Sequence, residues 1–417
     1  MSRLKNAYVT ERDSMKQWLM LAAVQVMLQL YPMSELILFN QTKSVDKEKK
    51  LLLHDAINQE DIGLVINLLQ TGFDPNELDE SLNCPLHIAV GKRQVATVGL
   101  LLQYGAHVNQ RNNRLCTPLH LAIMACSEFR SMEELCFILV DCLLRAGADV
   151  RCVDDADETP LEKAINGRMY TVVKQLLGAG ADVSRACKTG ITPLHRAAIN
   201  GLIKIMMLLL GNTEFVNQRN CWQRTPLHDA VCCVRRRKSA MILSLLLDKG
   251  AMIDAVDEKG ETPLFKAVDA QDYNDVQILL IRGANQWIAK EGNITPLHHA
   301  AYKSHDQIVR LLLMYKAPVN VQNDWQRTPL HDAAHDPNKD ILCMLIKKGA
   351  SIMIKDHMGR TPLDLVPANL GKIMHVYFTK MQLQTLALAM LDRTGQDSPA
   401  HNLTIYDLKK IYKYVKI

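Results

Sequence analysis

Seven of the fourteen histidines, His54, His87, His120, His195, His228, His298 and His331, stand fourth in a recurring tetrapeptide, Thr-Pro-Leu-His or a near-copy. A single histidine can act as a general base or a metal ligand. A histidine that returns at a fixed interval is expected to be structural, its ring bonded to the Thr hydroxyl or to a neighbouring hairpin. The acidic run Asp154, Asp155, Asp157 and Glu158 fails as a calcium loop: counted from Asp155, the sixth position is Pro160 rather than glycine and the twelfth is Asn166 rather than glutamate. It is expected to be a solvated hairpin tip. Cys232 and Cys233 are adjacent, Cys221 precedes them by eleven residues, and no C-x-x-C pair occurs. No nucleophile elbow, His-Glu-x-x-His, phosphate-cradling glycine loop or paired carboxylate set is present. The expectation is a chain without catalytic residues, metal or cofactor, and so not an enzyme.

The elements that must position these residues are set by a repeat. Thr-Pro-Leu-His begins at Thr117, Thr192, Thr225, Thr295 and Thr328, and near-copies begin at Leu51, Cys84, Thr159, Thr262 and Thr361. Successive starts lie 33, 33, 42, 33, 33, 37, 33, 33 and 33 residues apart. Each start is followed by a short Ala-containing segment, a leucine-rich segment, Gly-Ala and an Asn- or Asp-rich turn, which predicts helix, loop, helix, hairpin. Thr caps the first helix, Pro fits its first position, and Leu points to the core. Gly72, Gly105, Gly147, Gly180, Gly250, Gly283 and Gly349 are placed to close the second helix in the left-handed conformation. Thr213 and Lys316 stand at that position in two repeats, whose helix ends are expected to be weaker by ~1 kcal/mol.

This pattern resembles the ankyrin repeat family, whose unit is about 33 residues with the same signature. The resemblance implies an all-α fold: an ankyrin-repeat solenoid of helix-loop-helix plus β-hairpin units with helical N- and C-terminal caps. The domains expected are an N-terminal helical cap at 1–45, an array of about ten repeats at 46–380 and a C-terminal helical segment at 381–417.

Composition agrees with an ordinary globular class. The 417 residues are 48% apolar and 22% charged, and 49 basic against 44 acidic residues leave +5. That charge is too small to imply nucleic acid or an anionic membrane as a partner. The apolar stretch from Trp18 to Val24 is broken by Gln25 and Gln29, short of a bilayer span, and no signal-peptide pattern is read there. Eleven mostly single cysteines fit a reducing compartment. The cytoplasm is the expected location, and the basic run from Arg235 to Lys238 keeps the nucleus open.

The resemblance implies a protein partner bound on a concave surface of hairpin tips and first helices. The positions free for this lie three, four and one before each motif start, and seven or eight after it. They hold Trp222 and Arg224 on one tip and Trp325 and Arg327 on another, in the nearly matching tetrapeptides Cys221-Trp-Gln-Arg and Asp324-Trp-Gln-Arg. Aromatics and arginine dominate binding hot spots, although a tip indole can equally pack on the next hairpin. Arg114, Tyr302, Lys303, His335 and Arg360 occupy further such positions. Two repeats carry insertions between their helices, at about 126–133 and around Arg235, Arg236, Arg237 and Lys238, the latter expected to be a loop.

The ends carry two further patterns. Trp18 to Leu30 predicts a helix that caps the first repeat. Leu383, Leu386, Ala387, Met390 and Leu391 form an amphipathic stripe, and a second runs from Leu403 to Val415. Behind an ankyrin-like array this hairpin resembles the SOCS box, which implies docking of elongin through Leu383, Leu386, Ala387 and Leu391, cullin through the region of Leu408 and Tyr412, and the role of a ubiquitin ligase adaptor. Ala387 stands in place of the usual Cys, Leu388 in place of the usual Arg, and Thr404 and Tyr406 where that family is Pro-rich. A simple solenoid cap on a scaffold or inhibitor, or an F-box-like tail, remains an alternative.

Overall fold

The computed structural model describes residues 52–127, 133–211, 213–231, 236–335 and 338–366. The expected N-terminal cap helix, Cys232, Cys233, Arg235, the tip of the first insertion and the whole C-terminal hairpin lie outside them. The chain divides into two compact units, Met1–Ala181 and Asp182–Ile417.

In the first unit, helices pair as α1 (Leu52–Asn58) with α2 (Ile62–Gln70), α3 (Pro85–Gly91) with α4 (Val95–Gln103), α5 (Pro118–Ser127) with α6 (Glu133–Arg145), and α7 (Pro160–Asn166) with α8 (Tyr170–Gly178). In the second they pair as α9 (Pro193–Ile199) with α10 (Ile203–Leu209), α11 (Pro226–Val231) with α12 (Arg236–Asp248), α13 (Pro263–Asp269) with α14 (Tyr273–Ile281), α15 (Pro296–Tyr302) with α16 (Asp306–Met314), and α17 (Pro329–His335) with α18 (Lys339–Lys347). A 3-10 turn at Pro362–Leu365 occupies the tenth motif. Within each unit first helices stack on first helices, and α12, α14, α16 and α18 stack in turn. The motif leucines, such as Leu86, Leu161 and Leu264, are 0% exposed, as are Ala89, Ala164 and Ala267 three positions on. No repeat could bury this apolar face alone, and stacking supplies the missing side.

The caps follow the residues. Thr159, Thr192, Thr262 and Thr295 accept the third helical N–H through their hydroxyls. The seven closing glycines have φ between 83° and 91°, and Lys316 takes the same conformation at φ 63°. Thr213 does otherwise and opens a 3-10 turn, Thr213–Phe215.

The hairpins are narrower than β-hairpin units suggest. Among the described residues there is no strand, only an isolated bridge between Lys290 and Ile294. Seven of the tips are built on one Asp or Asn five residues before the motif, whereas Cys187 and Lys290 stand there in the other two. Asn323 Oδ1 accepts from the Trp325 and Arg327 amides at 3.0 and 2.9 Å, and Asp79, Asn112, Asp154, Asn220, Asp257 and Asp356 do the same. Within each unit consecutive tips are joined by a single backbone bond, such as Asp324 N–H to Gly292 O at 3.0 Å, too little for a ladder.

Three expectations are corrected. Asp154 is not solvated: it is 4% exposed, shapes its tip and pairs with Lys163 at 2.6 Å. The residues added by the first insertion do not all fall between the helices: α5 runs to Ser127 and α6 starts at Glu133, 10 and 13 residues long. Arg236, Arg237 and Lys238 are not in a loop but begin α12, also 13 residues long. Four extra residues add about one turn, so the buried face of α12 keeps its register.

That added turn places Ser239 against α14, where its hydroxyl donates to Asp275 Oδ1 at 2.8 Å. Asp275 is fully buried, and its Oδ2 has no partner among the described residues. Burial raises its pKa to about 7; Asp272 adds to the rise and the Ser239 bond opposes it. A carboxyl whose folded pKa is raised is tolerated below its unfolded value near 3.8 and costs stability as pH rises toward 7. Asp275→Asn is therefore expected to gain about 2–3 kcal/mol over the wild type as pH rises from 5 to 8. Urea titrations at the two pH values check this, and an equal difference at both would refute it.

Candidate functional site

The motif histidines resolve into staples. In six of the seven, the backbone N–H of the first motif residue donates to Nδ1, at 3.1 to 3.3 Å. Nδ1 is thereby an acceptor, so the proton sits on Nε2 and is donated to a carbonyl one repeat on: His120 to Glu158, His195 to Arg224, His228 to Glu261, His298 to Arg327. His54 keeps the second bond, to Asn83 O at 3.1 Å, and its Nδ1 has no partner among the described residues, the first residue of its motif, Leu51, lying outside them. Burial lowers His195, His228 and His298 to about 4 against the carbonyl bonds, so these rings are neutral. Among the described residues no group of His, Cys, Asp and Glu could hold a metal ion, and no helix is long and apolar enough to cross a membrane.

The tip residues are arranged differently. Trp222 and Trp325 are 39% and 48% exposed. Between each tryptophan and its arginine stands a glutamine in the left-handed region, Gln223 and Gln326, both at φ 56°. This sharp bend lifts the indole outward. Arg224 and Arg327 are instead turned to the following hairpin, with Nε 3.5 Å from Asp257 Oδ2 and 3.7 Å from Asp356 Oδ2. They act at least partly as posts that hold the tip. Arg114 lies exposed on a tip of the first unit, its amide on Asn112.

In the second unit, Trp325, Arg327 and Tyr302 come together. With Ile294, His299 and Asp332 they line a cavity of about 330 Å³ between hairpin and first helices. The Tyr302 and His335 rings lie 6.0 Å apart beside it, and Lys303 follows Tyr302 at the end of α15, exposed. Trp222 and Arg224 are not part of this cluster; they stand three repeats earlier. The sequence match between the two tips extends over nine residues, Trp222–Ala230 and Trp325–Ala333. Its last charged members are Asp229 and Asp332, at 5% and 9% exposure. Burial raises both to about 7, opposed by Arg224 and Lys266 at Asp229 and by Arg327 at Asp332.

Two of these were not legible as site residues. Asp332 and His299 occupy the fourth position after a motif start, on the inner side of the first helix, and only the assembled cavity distinguishes them. Trp287, 65% exposed and the most exposed tryptophan among the described residues, follows a second helix, away from the positions expected to face a partner.

Comparison with known proteins agrees with the repeat. The family model described as ankyrin repeats (3 copies) matches residues 53–137, 134–220, 164–237, 212–290 and 287–356. No curated protein matches the chain. Among solved structures, the crystal structure of the human ASB11 ankyrin repeat domain is similar at 27% identity and a TM-score of 0.44, over 51% of this chain and 93% of that one. The family match spans well over half of the chain, which therefore belongs to the ankyrin repeat family and is a protein–protein interaction module.

Proposed function

We propose that this chain binds a protein partner through the hairpin tips and first helices of its second unit, with Trp325, Tyr302 and the adjoining His335 and Lys303 at the centre and Trp222 as a separate contact. One observation carries this reading. Two indoles remain about half exposed on tips whose backbones are fixed by Asn220 and Asn323 and whose arginines are tied down. Large rigid aromatic surfaces, already ordered, are what hot spots supply at low entropic cost. The ankyrin fold is of the non-catalytic scaffold type, and no chemistry is assigned to the site. Trp222→Ala with Trp325→Ala is expected to lower partner binding at least tenfold while the melting temperature barely changes. Partners are recovered by affinity purification and mass spectrometry and the variant is compared by calorimetry. A large loss of stability with binding intact would mean that the indoles serve hairpin packing instead.

In its specific form the reading is that of a substrate receptor for a cullin-type ubiquitin ligase, with residues 381–417 recruiting elongin through Leu383, Leu386, Ala387 and Leu391. The support is the sequence stripe, since these residues lie outside the described structure. Purification with and without residues 381–417, and of Leu383→Asp, decides it. Elongin is expected with the intact chain and not with either variant. If elongin is never recovered and Leu383→Asp lowers the melting temperature sharply, the segment is a cap on a scaffold or inhibitor.

A further inference from the structure

The cavity beside Trp325 has a floor that its own residues leave incomplete. Asp332 lines it at 9% exposure, and its carboxyl makes no hydrogen bond among the described residues; burial raises its pKa against the charge of Arg327. Arg327 is the one cation in the lining, and its Nε makes no hydrogen bond among the described residues: it forms a loose ion pair with Asp356 Oδ2 at 3.7 Å, an oxygen that Arg360 holds at 2.8 Å. The other charged candidates are neutral or taken. His298 is an acceptor at Nδ1 and donates to Arg327 O, and His299 Nε2 bonds Asp269 at 2.7 Å. A buried carboxylate without a donor is costly, and a ligand that brings one removes that cost.

The walls narrow the class of donor. Trp325 and Tyr302 are 48% and 51% exposed, and flat aromatic faces attract cations, guanidinium most readily because it also stacks and offers paired N–H groups to a carboxylate. The same unit already contains such a contact, with Lys290 Nζ 4.8 Å from the Phe265 ring centre. The sister tip provides a contrast. Asp229 has the same nine-residue context, but its Oδ2 is closed off from solvent, and one repeat earlier Arg196 and Ile199 stand where His299 and Tyr302 do.

We propose that the Trp325 cavity is an arginine pocket: it receives an arginine side chain of the partner protein, stacked on Trp325 and Tyr302 with its guanidinium on Asp332, and the Trp222 tip has no such pocket. This rests on the docking face proposed above and specifies its ligand.

The test uses the full chain labelled with nitrogen-15 at its tryptophan indoles, the Trp325 signal being assigned by its loss in Trp325→Phe. Acetyl-arginine amide is expected to shift the Trp325 signal saturably and to leave Trp222 and Trp287 in place. Acetyl-citrulline amide, equal in shape and uncharged, is expected to shift nothing. Asp332→Asn, a near-isosteric change whose fold is checked by circular dichroism, is expected to weaken the arginine effect at least tenfold. The proposal is overturned if citrulline matches arginine, if Asp332→Asn binds as well as the wild type, if all indoles move together, or if no saturable shift occurs up to tens of millimolar. The two readings separate on the partner itself. A partner lost with Trp325→Ala but retained with Asp332→Asn leaves the docking face standing and removes the arginine pocket.

Discussion

Gly190→Ala is expected to destabilise the second unit by about 3 kcal/mol or more, against ~1 kcal/mol for Gly250→Ala. Both glycines are left-handed, at φ 73° and 86°, so conformational strain alone would not separate them. A Cβ at Gly190 would lie 2.8 Å from both Asn220 Cα and Cys221 N, whereas one at Gly250 would meet nothing within 4 Å. The contacted atoms are backbone, held by the bond from Cys221 N–H to Thr189 O at 3.0 Å, so relief requires one hairpin to move away from the next. Denaturant titrations of the two variants side by side provide the measurement. Equal, small losses would show that adjacent tips slide freely.

His298→Ala is the second large effect, expected at about 3–5 kcal/mol near neutral pH. It deletes a ring that is 0% exposed, strands the Thr295 amide on one side and the Arg327 carbonyl on the other, and leaves a void. Its pH signature distinguishes it from simple loss of packing. Burial lowers the His298 pKa from 6.5 to about 4, and the neighbouring His331 adds to the fall. A base with a lowered folded pKa contributes stability that is complete above its unfolded value near 6.5 and is lost as pH falls toward 4. The gap between wild type and variant is therefore expected to narrow by about 2 kcal/mol from pH 7.5 to pH 5. A gap of constant size would mean that the ring is not held neutral.

The repeat was legible because its signals are local. Thr, Pro and Leu at consecutive motif positions and a glycine at a fixed distance each satisfy a requirement within a few residues of themselves, and all of them fall where expected. What could not be read depends on partners in another helix or another repeat. The run Arg236 to Lys238 has the composition of a loop, yet the burial of Ser239 against Asp275 draws the chain into an extra helical turn. Asp154 reads as one more surface acid until Lys163, nine residues on and in the following helix, is brought to 2.6 Å. The tryptophans were visible by type and position, but the difference between their two tips was not. It arises from Tyr302 and His299 in the repeat before Trp325, where the repeat before Trp222 has Ile199 and Arg196.

The shared nonapeptide at Trp222 and Trp325 also bears on how long this array has to be. The two copies lie 103 residues apart, and each repeat is tied to its neighbours by contacts that include a histidine ring, one tip-to-tip bond, side-chain bonds such as that of Arg224 to Asp257 and a strip of Leu and Ala. Excision of residues 225–327 would rejoin Arg224 to Thr328 and restore Trp-Gln-Arg-Thr-Pro-Leu-His-Asp-Ala without a scar. His195 would still meet the Arg224 carbonyl, and His331 would still reach Arg360. Loss of these three repeats would leave a junction that the chain already contains, so the reach of the array could shorten while its joints stayed the same.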